Sequence, residues 1–338
     1  MMRAREGDLI ETAEGLIFDV KGLVHPPVRI VAFPRYFQTA KGERRRGETA
    51  YGKVYSLLER RKMLEKRFPR YLVRDFVLDE TLCEVPMADI VKHYDPVEKL
   101  QTLRASANLG SLERKAVQLA ELLKERASVP WNSIGISGSI LVGLHTTSSD
   151  IDPVVYGSDN CRKVHSALRE FLKDEASPFK PYTQEDLKAL FDFRSKDTVV
   201  LFEDFVRTES RKAQQGKFMG KNYFIRFVKD WNEITERYDD VSYRNVGYAK
   251  IEAAIADDSE SIFTPCRYVV ENVKVVEGLK LEPIAEIASF RGRFCEQAKR
   301  GETVIAQGKV ERVSDRVQDR EHCRLLLGNR PEDYMVLV

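Results

Sequence analysis

Residues 133–157 read SIGISGSILVGLHTTSSDIDPVVYG and contain the pattern that decides the fold. The apolar run 133–137 predicts a short buried strand, and Gly138 and Ser139 follow directly at its carboxyl end. Ten residues later, a second apolar run begins with Asp150-Ile151-Asp152 and ends before Gly157. The spacing therefore predicts two strands of an α/β region, with a glycine-serine turn after the first and two acids at the start of the second.

The residue types in this pattern suit a triphosphate and a divalent cation. Residues two apart on a strand point to the same face, so Asp150 and Asp152 would present their carboxylates together. Carboxylate oxygens are the ligands that Mg²⁺ and Mn²⁺ prefer. Gly138 has no side chain, so a phosphate can approach the backbone closely, and Ser139 adds a hydroxyl and an N–H where anions bind well. This combination indicates transfer of a nucleotidyl or phosphoryl group.

Composition narrows the class of protein. The 338 residues are enough for two or three domains. Because 55 basic residues stand against 53 acidic ones, any nucleic-acid surface must be local. The five cysteines are scattered and form no C-x-x-C pair, which favours reduced thiols over a disulfide framework or a zinc site. No apolar run approaches the length of a membrane span, and the charged N-terminus does not resemble a signal peptide, so we expect a cytoplasmic protein without a membrane partner.

The patterning along the chain predicts an α+β protein in three segments. Residues 1–104 combine strand-length apolar runs with one surface helix, which gives an N-terminal α/β segment. Residues 105–260 alternate helices and strands and contain Gly138 and Asp150. Residues 261–338 show short strands between glycines, which predicts a small β-barrel or meander.

The pattern Gly138-Ser139-x10-Asp150-x-Asp152 resembles the signature of the nucleotidyltransferase superfamily that includes DNA polymerase beta and the CCA-adding enzymes. Over its whole length the chain also resembles a group of archaeal proteins described only as predicted nucleotidyltransferases. The resemblance implies a mixed sheet with helices in 105–260, with Gly138 and Ser139 holding the triphosphate of an NTP. It also implies that Asp150 and Asp152 ligate two metal ions, Mg²⁺ or Mn²⁺.

The same resemblance implies a third acid on a neighbouring strand, where it helps to activate the attacking hydroxyl. The expected strand is 223–230, and its one acid is Asp230, which we predict as a catalytic residue and third metal ligand. The alternative is that Asp230 caps the end of the strand, since Arg226 occupies the same face at a position where an acid would be expected. Glu203 and Asp204 are the reserve candidates.

Pro153 and the basic residues near the third strand also bear on the predicted site. Pro153, directly after the second acid, cannot donate to a strand ladder and predicts an irregular start of that strand. Lys217 and Lys221 lie just before the third strand and are predicted to bind the triphosphate or an RNA backbone, with a solvated basic surface as the alternative. The run Arg44-Arg45-Arg46 alternates with acidic neighbours and is predicted to be a solvated face.

These residues together predict a metal-dependent nucleotidyltransferase that moves a nucleoside monophosphate from an NTP to an acceptor hydroxyl. The flanking β-rich segments favour RNA as the acceptor, because small β-barrels often present strand faces to nucleic acid. Two alternatives remain: a non-catalytic nucleotide- or RNA-binding protein that retains the fold, and an enzyme that transfers AMP to proteins.

Overall fold

The computed structural model describes residues 2–278 and 284–338, and within them the chain has the mixed α+β class predicted from its sequence. Its α-helices, in chain order, are α1 Leu57–Arg67, α2 Pro96–Ala105, α3 Ser111–Ala127, α4 Gly138–Leu141, α5 Ser158–Phe171, α6 Gln184–Arg194 and α7 Phe202–Glu209. Short 3-10 helices occupy Pro69–Tyr71, Met87–Asp89, Trp131–Ser133, Trp231–Glu233 and Gly292–Phe294. None of the helices in the described residues has the length and apolar character needed to span a membrane.

The strands of the described residues, in chain order, are β1 Leu9–Thr12, β2 Ile17–Val20, β3 Arg29–Gln38, β4 Arg44–Arg46, β5 Thr49–Lys53, β6 Leu72–Asp75, β7 Glu80–Pro86, β8 Ile90–Tyr94, β9 Ile134–Ile136, β10 Pro153–Tyr156, β11 Phe179–Lys180, β12 Gln215–Phe218, β13 Lys221–Phe224, β14 Arg226–Val228, β15 Val241–Asp257, β16 Cys266–Gly278, β17 Ile284–Ser289, β18 Thr303–Asp315, β19 Arg320–Leu327 and β20 Tyr334–Leu337.

The chain divides into two compact units whose boundaries differ from the three predicted segments. The site unit comprises Met1–Leu72, Cys83–Pro181 and Ala213–Thr235. The barrel unit comprises Val73–Leu82, Tyr182–Lys212 and Glu236–Val338. Each unit is assembled from stretches that are separated in sequence, so a division of the chain into consecutive segments could not reproduce them.

In the site unit, the N-terminal strands form an antiparallel sheet in the order β4-β5-β3-β2-β1-β8. One apolar cluster joins this sheet to the glycine-serine region, because Leu9 and Tyr36 pack with Leu141 and Leu144. The Ser137 hydroxyl also donates to the carbonyl of Gly7 at 2.6 Å. These contacts explain why residues 1–72 do not form a separate unit from the strands that follow Gly138.

A second sheet of the site unit carries the predicted site. Its strand order is β14-β10-β9, with β10 antiparallel to β9 and parallel to β14. The helices α2 and α3 pack on β9, and α5 packs on β10 and β14. The apolar residues of α3 that face the sheet are buried: Leu112, Ala116, Leu119, Ala120 and Leu123.

The predicted third strand, 223–230, is divided in the structure. Its first part belongs to β13, which forms a hairpin with β12, and only Arg226–Val228 pairs with β10. The division falls at Ile225, whose N–H donates to the Gln214 carbonyl at 2.7 Å. Tyr223 still forms an isolated parallel bridge with Ile151, so the hairpin extends alongside the acids.

In the barrel unit, the strands β15, β16, β17, β19 and β18 pair in that order, and β18 pairs again with β15. The ring is therefore a small closed barrel, and β20 adds to it beside β18. Its interior contains alternate residues of each strand, such as Ile251, Tyr268 and Leu325. The barrel begins at Val241, about twenty residues before the predicted boundary at 261. The prediction relied on short strands between glycines, whereas the first strand of the barrel is long and has few glycines.

Candidate metal and nucleotide site

The glycine-serine turn and the second acid are in direct contact. Gly138 has φ +63°, and a Cβ at this position would overlap the Asp152 carboxylate and lie 2.7 Å from its Cγ. The N–H of Ser137 donates to the carbonyl of Asp152 at 2.8 Å. Glycine is therefore required here both by the backbone conformation and by the space that the carboxylate occupies.

The two acids flank a buried residue that fixes their direction. Ile151 is fully buried; its N–H donates to the carbonyl of Asn222 at 2.9 Å, and its own carbonyl accepts from Phe224 at 3.1 Å. Because neighbouring residues of an extended chain point to opposite sides, Asp150 and Asp152 both point away from the side that Ile151 fills. Regular pairing starts at Pro153, so both acids precede β10 instead of lying in its first residues as predicted.

A polar cavity of about 30 Å³ lies beside Asp152. Two acids and two arginines contribute to its wall: Asp152, Asp19, Arg35 and Arg226. Gly138 and Ser137 complete the side that faces the turn. A space of this size holds one or two water-sized groups, so a nucleotide would have to lie at its mouth rather than inside it.

Burial and the charge of its neighbour both disfavour the ionised form of Asp150. The protein atoms packed around Asp150 and the negative charge of Asp152 raise the pKa of the Asp150 carboxyl. Lys53, Lys221 and a hydrogen bond from Asn222 oppose this rise. Burial, together with the charges of Arg35 and Arg44, lowers the pKa of Lys53 to about 8 even though both acids act in the opposite direction. Cationic and anionic side chains thus act on one another around Asp150 and Asp152.

Arg226 occupies the position at which a third acid was sought. It pairs in register with Val154, two residues after Asp152, so its side chain lies on the same face of the sheet as that acid. The guanidinium lies 3.3 Å from Glu6 and 3.4 Å from Asp19. Although burial opposes the charged form, Asp19, Glu6 and Asp152 raise the pKa of Arg226. The face beside Asp152 therefore carries a fixed positive charge.

The prediction that Asp230 is a catalytic residue and third metal ligand is wrong on geometry. Because β10 and β14 are parallel, Val228 pairs with Tyr156, and Asp230 lies beyond the end of the sheet opposite to Asp152. Six residues of extended chain separate its level from that of Phe224, roughly 20 Å. Its carboxylate pairs with Arg5 at 2.7 Å and accepts from the N–H of Trp231. The capping alternative is the observed one.

The reserve acids do not complete a metal site either. Glu203 and Asp204 lie in the first turn of α7, in the barrel unit, where Asp204 pairs with Arg207 at 3.1 Å. Over residues 2–278 and 284–338, no group of three or more His, Cys, Asp or Glu side chains is arranged to hold a metal ion. Besides Asp150 and Asp152, the acid Asp19 lines the adjoining cavity, where it pairs with Lys21 and Arg226.

Of the other predicted contacts, Lys221 is the one that the structure brings to the acids. Its ammonium donates to the carbonyl of Thr147, in the loop that precedes Asp150, and its charge acts on the Asp150 carboxyl. Lys217 lies across the β-hairpin from Asn222 and shares its face of the sheet. Ser139 is only 5% exposed and does not line the cavity, so a contact between its hydroxyl and a phosphate stays a prediction.

Sequence reasoning missed the basic residues that the N-terminal sheet contributes. Arg35 in β3 lines the cavity, and Lys53 at the end of β5 acts electrostatically on both acids. Arg44 donates to the carbonyl of Leu144 at 2.6 Å and to the Ser149 hydroxyl at 3.3 Å, so it holds the loop before Asp150. Arg45 is exposed, as the predicted solvated face requires, whereas Arg44 and Arg46 are partly buried. No local signal marks these residues, because they lie about 100 positions from the acids they approach.

Comparison with known proteins places the chain in an archaeal family. Over 342 aligned positions it is 33% identical to the uncharacterized protein MJ1086 of Methanocaldococcus jannaschii, and the alignment covers 98% of each protein. The chain belongs to the family of this protein. No protein-family model matches the chain, and no solved structure matches it. The family relationship spans both the site unit and the barrel unit, but the relative's name carries no activity.

Proposed function

We propose that the site unit binds the triphosphate of an NTP together with Mg²⁺ and transfers the nucleotidyl group to an acceptor hydroxyl. The observation that carries the proposal is the close approach of Gly138 to the Asp152 carboxylate, whose charge also acts on the carboxyl of Asp150. Because Gly138 has no side chain, phosphate oxygens have room to approach the backbone beside the two carboxylates, which could bind a metal ion. A chance pair of acids on a strand would not need glycine at that point.

The residues present fit one divalent cation. Asp150 and Asp152 supply two carboxylates whose mutual repulsion a bound cation would relieve. Mg²⁺ is commonly held by one or two carboxylates, with the remaining positions taken by water and substrate phosphates. When bound, it would neutralise charge on the phosphate oxygens and orient the reacting phosphorus. Asp19 also lies beside Asp152 but pairs with Lys21 and Arg226, so the proposed cation would have two protein ligands, fewer than the resemblance implies.

The basic residues around the acids would bind the rest of the triphosphate. Arg35 and Lys53 come from the N-terminal sheet and Lys221 from the β-hairpin, so they approach the acids from two sheets of the site unit. Charge-assisted hydrogen bonds to phosphate are among the stronger polar contacts that a protein makes. These residues would hold the leaving pyrophosphate in line with the attack.

In the proposed reaction the acceptor oxygen forms a bond to the α-phosphorus, and the bond from that phosphorus to the β-phosphate oxygen breaks. Pyrophosphate leaves with the electron pair, and the hydroxyl proton passes to solvent. Positioning and charge stabilisation account for most catalysis of this kind, since phosphoryl transfer needs little covalent help from the protein.

RNA is the acceptor class that we propose. The barrel unit contains a closed ring of five strands, and five-stranded barrels of the OB type bind oligonucleotides on their strand faces and loops. This support comes from architecture and not from a recognised binding site.

One observation favours a second candidate, nucleotide binding without transfer. Arg226 places a positive charge where a third acid would assist the attacking hydroxyl, and its ion pairs with Glu6 and Asp19 hold it there. A site with this charge could retain Mg²⁺ and NTP but lack the group that promotes turnover. Both candidate functions predict that the protein binds NTP, but only the first predicts a labelled acceptor as product.

The test is a transfer assay with the full chain, Mg²⁺ and each of the four α-³²P-labelled NTPs, with RNA and total cell protein as separate acceptors. We expect label in RNA and none with Asp152→Asn, whereas Asp159→Asn, a helix-surface control, retains activity. Label in protein instead of RNA would replace the acceptor with a protein hydroxyl. Binding of NTP without any labelled product would establish the second candidate.

A further inference from the structure

Three lysines surround the hairpin that β12 and β13 form beside Asp150. Lys217, in β12, lies directly opposite Lys180, in β11, in the antiparallel register. Lys115, in α3, reaches the turn of the hairpin, where its ammonium donates to the carbonyl of Met219 at 2.8 Å. Lys115, Lys180 and Lys217 form the lysine cluster of the site unit. Its members come from three elements that are far apart in sequence.

One face of the sheet β11-β12-β13 joins the lysine cluster to the candidate site. Phe179 and Phe218 are fully buried on the opposite face. Lys217 pairs in register with Asn222, so these two side chains lie on the same face. The side chain of Asn222 is hydrogen-bonded to the carboxyl of Asp150. A ligand bound along this face would therefore end beside the two acids.

Backbone carbonyls, rather than carboxylates, accept the hydrogen bonds of three lysines around the hairpin: Lys115, Lys180 and Lys221. Within residues 2–278 and 284–338 none of these three forms an ion pair. Asp174 accepts from a backbone N–H, and Glu175 contacts Lys180 through its carbonyl oxygen. Lysines that lie directly opposite each other on neighbouring strands repel, and a bound anion would relieve that repulsion.

The two compact units differ in net charge. The site unit contains 32 basic and 24 acidic residues, whereas the barrel unit contains 23 basic and 29 acidic ones. The summed field of a protein attracts a polyanion to a basic surface and repels it from an acidic one. The phosphate backbone of a nucleic acid should therefore contact the site unit.

We propose that the lysine cluster binds the phosphate backbone of the RNA acceptor and directs its reacting hydroxyl toward Asp150. The inference rests on the proposed transfer to RNA and names the surface that would hold the acceptor. Ammonium groups suit this role, because they bind phosphates as point charges and do not depend on the base sequence. Strands bound in this way are held by a positively charged surface that follows the backbone.

The test is the affinity of the full chain for a fluorescent single-stranded RNA, measured by anisotropy at several salt concentrations. EDTA is present and NTP is left out, so a failure of the transfer reaction does not affect this measurement. Each phosphate contact with a single strand contributes roughly 0.7 to the slope of log affinity against log salt. We therefore expect the double variant Lys115→Gln/Lys180→Gln to lower this slope by about 1.4 and to bind RNA on the order of tenfold more weakly near 0.1 M salt.

The matched control is the double variant Lys62→Gln/Lys163→Gln, which removes the same charge from exposed positions of the same unit. It should leave the RNA affinity and its salt dependence unchanged. If the first double variant is unstable, Lys180→Gln alone should still lower the slope by about 0.7.

Two results would overturn the proposal even if the transfer reaction is established. The first is equal RNA affinity in the cluster variant and the control variant. The second is cluster-dependent binding of polyglutamate that is tighter than that of RNA, which would assign the surface to an acidic protein.

Discussion

Replacing Gly138 with alanine tests the contact on which the proposed site depends. Two effects follow from the structure. Alanine at φ +63° costs about 1–2 kcal/mol in unfolding free energy, because the left-handed region is strained for residues with a Cβ. The new Cβ would also overlap the Asp152 carboxylate, which must turn away from its present position.

Gly143 offers a control with nearly the same backbone and none of the crowding. Its φ is +67°, and a Cβ there would meet nothing within 4 Å. We therefore expect Gly143→Ala to lose a similar 1–2 kcal/mol of stability and keep its affinity for Mg²⁺ and NTP. In Gly138→Ala the displaced carboxylate should weaken that binding by about 10–100-fold, the equivalent of one hydrogen bond to a charged group.

The assay combines urea unfolding of both variants with calorimetric titration of NTP in the presence of Mg²⁺. Matched losses of stability with unequal losses of affinity would separate the strain of the backbone from the contact with Asp152. Equal affinity in the two variants would refute the reasoning, because it would mean that the position of the Asp152 carboxylate does not matter for binding.

Three further predictions concern charged groups of the site unit. His25 is hydrogen-bonded at both ring nitrogens, and burial lowers its pKa to about 4. Because the unfolded state binds the proton more readily, the free energy of unfolding should fall by up to about 3 kcal/mol between pH 6.5 and pH 4. His25→Gln should remove this pH dependence. Arg226→Met should cost about 3–5 kcal/mol in urea unfolding, since it leaves the buried acids Glu6 and Asp19 with less positive charge. Asp230→Asn should leave Mg²⁺-NTP affinity unchanged in calorimetry, because that carboxylate lies beyond the far end of β14.

Each of these has a result that would count against it. A stability profile of His25→Gln parallel to that of the wild type would mean that another group titrates in this range. A stability loss below about 1 kcal/mol for Arg226→Met would show that the ion pairs contribute no more than surface pairs do. Loss of nucleotide affinity in Asp230→Asn would restore that residue to the site.

The sequence predicted the local part of the site well. Gly138 and Asp152 come together because a strand, a turn and a returning antiparallel strand need only about twenty consecutive residues, and apolar runs mark both strands.

The remaining site could not be predicted because it depends on contacts between distant residues. Asp19 and Arg226 are 207 positions apart, and neither shows a local pattern that names its partner. Asp230 was misplaced for a related reason: two-residue periodicity gives the face of a strand but not which end of it lies beside Asp152. Similarly, the helices α6 and α7 join the barrel unit through packing, although they lie between stretches of the site unit.

The most direct measurement of the central claim is binding of Mn²⁺, as a paramagnetic substitute for Mg²⁺, followed by electron paramagnetic resonance with and without NTP. Wild-type protein and Asp150→Asn, Asp152→Asn and Asp230→Asn variants would be compared. We expect one Mn²⁺ per chain, with an affinity that rises with NTP, is lost in both Asp150→Asn and Asp152→Asn, and is unchanged in Asp230→Asn. Undiminished Mn²⁺ binding when either Asp150 or Asp152 is replaced would contradict it.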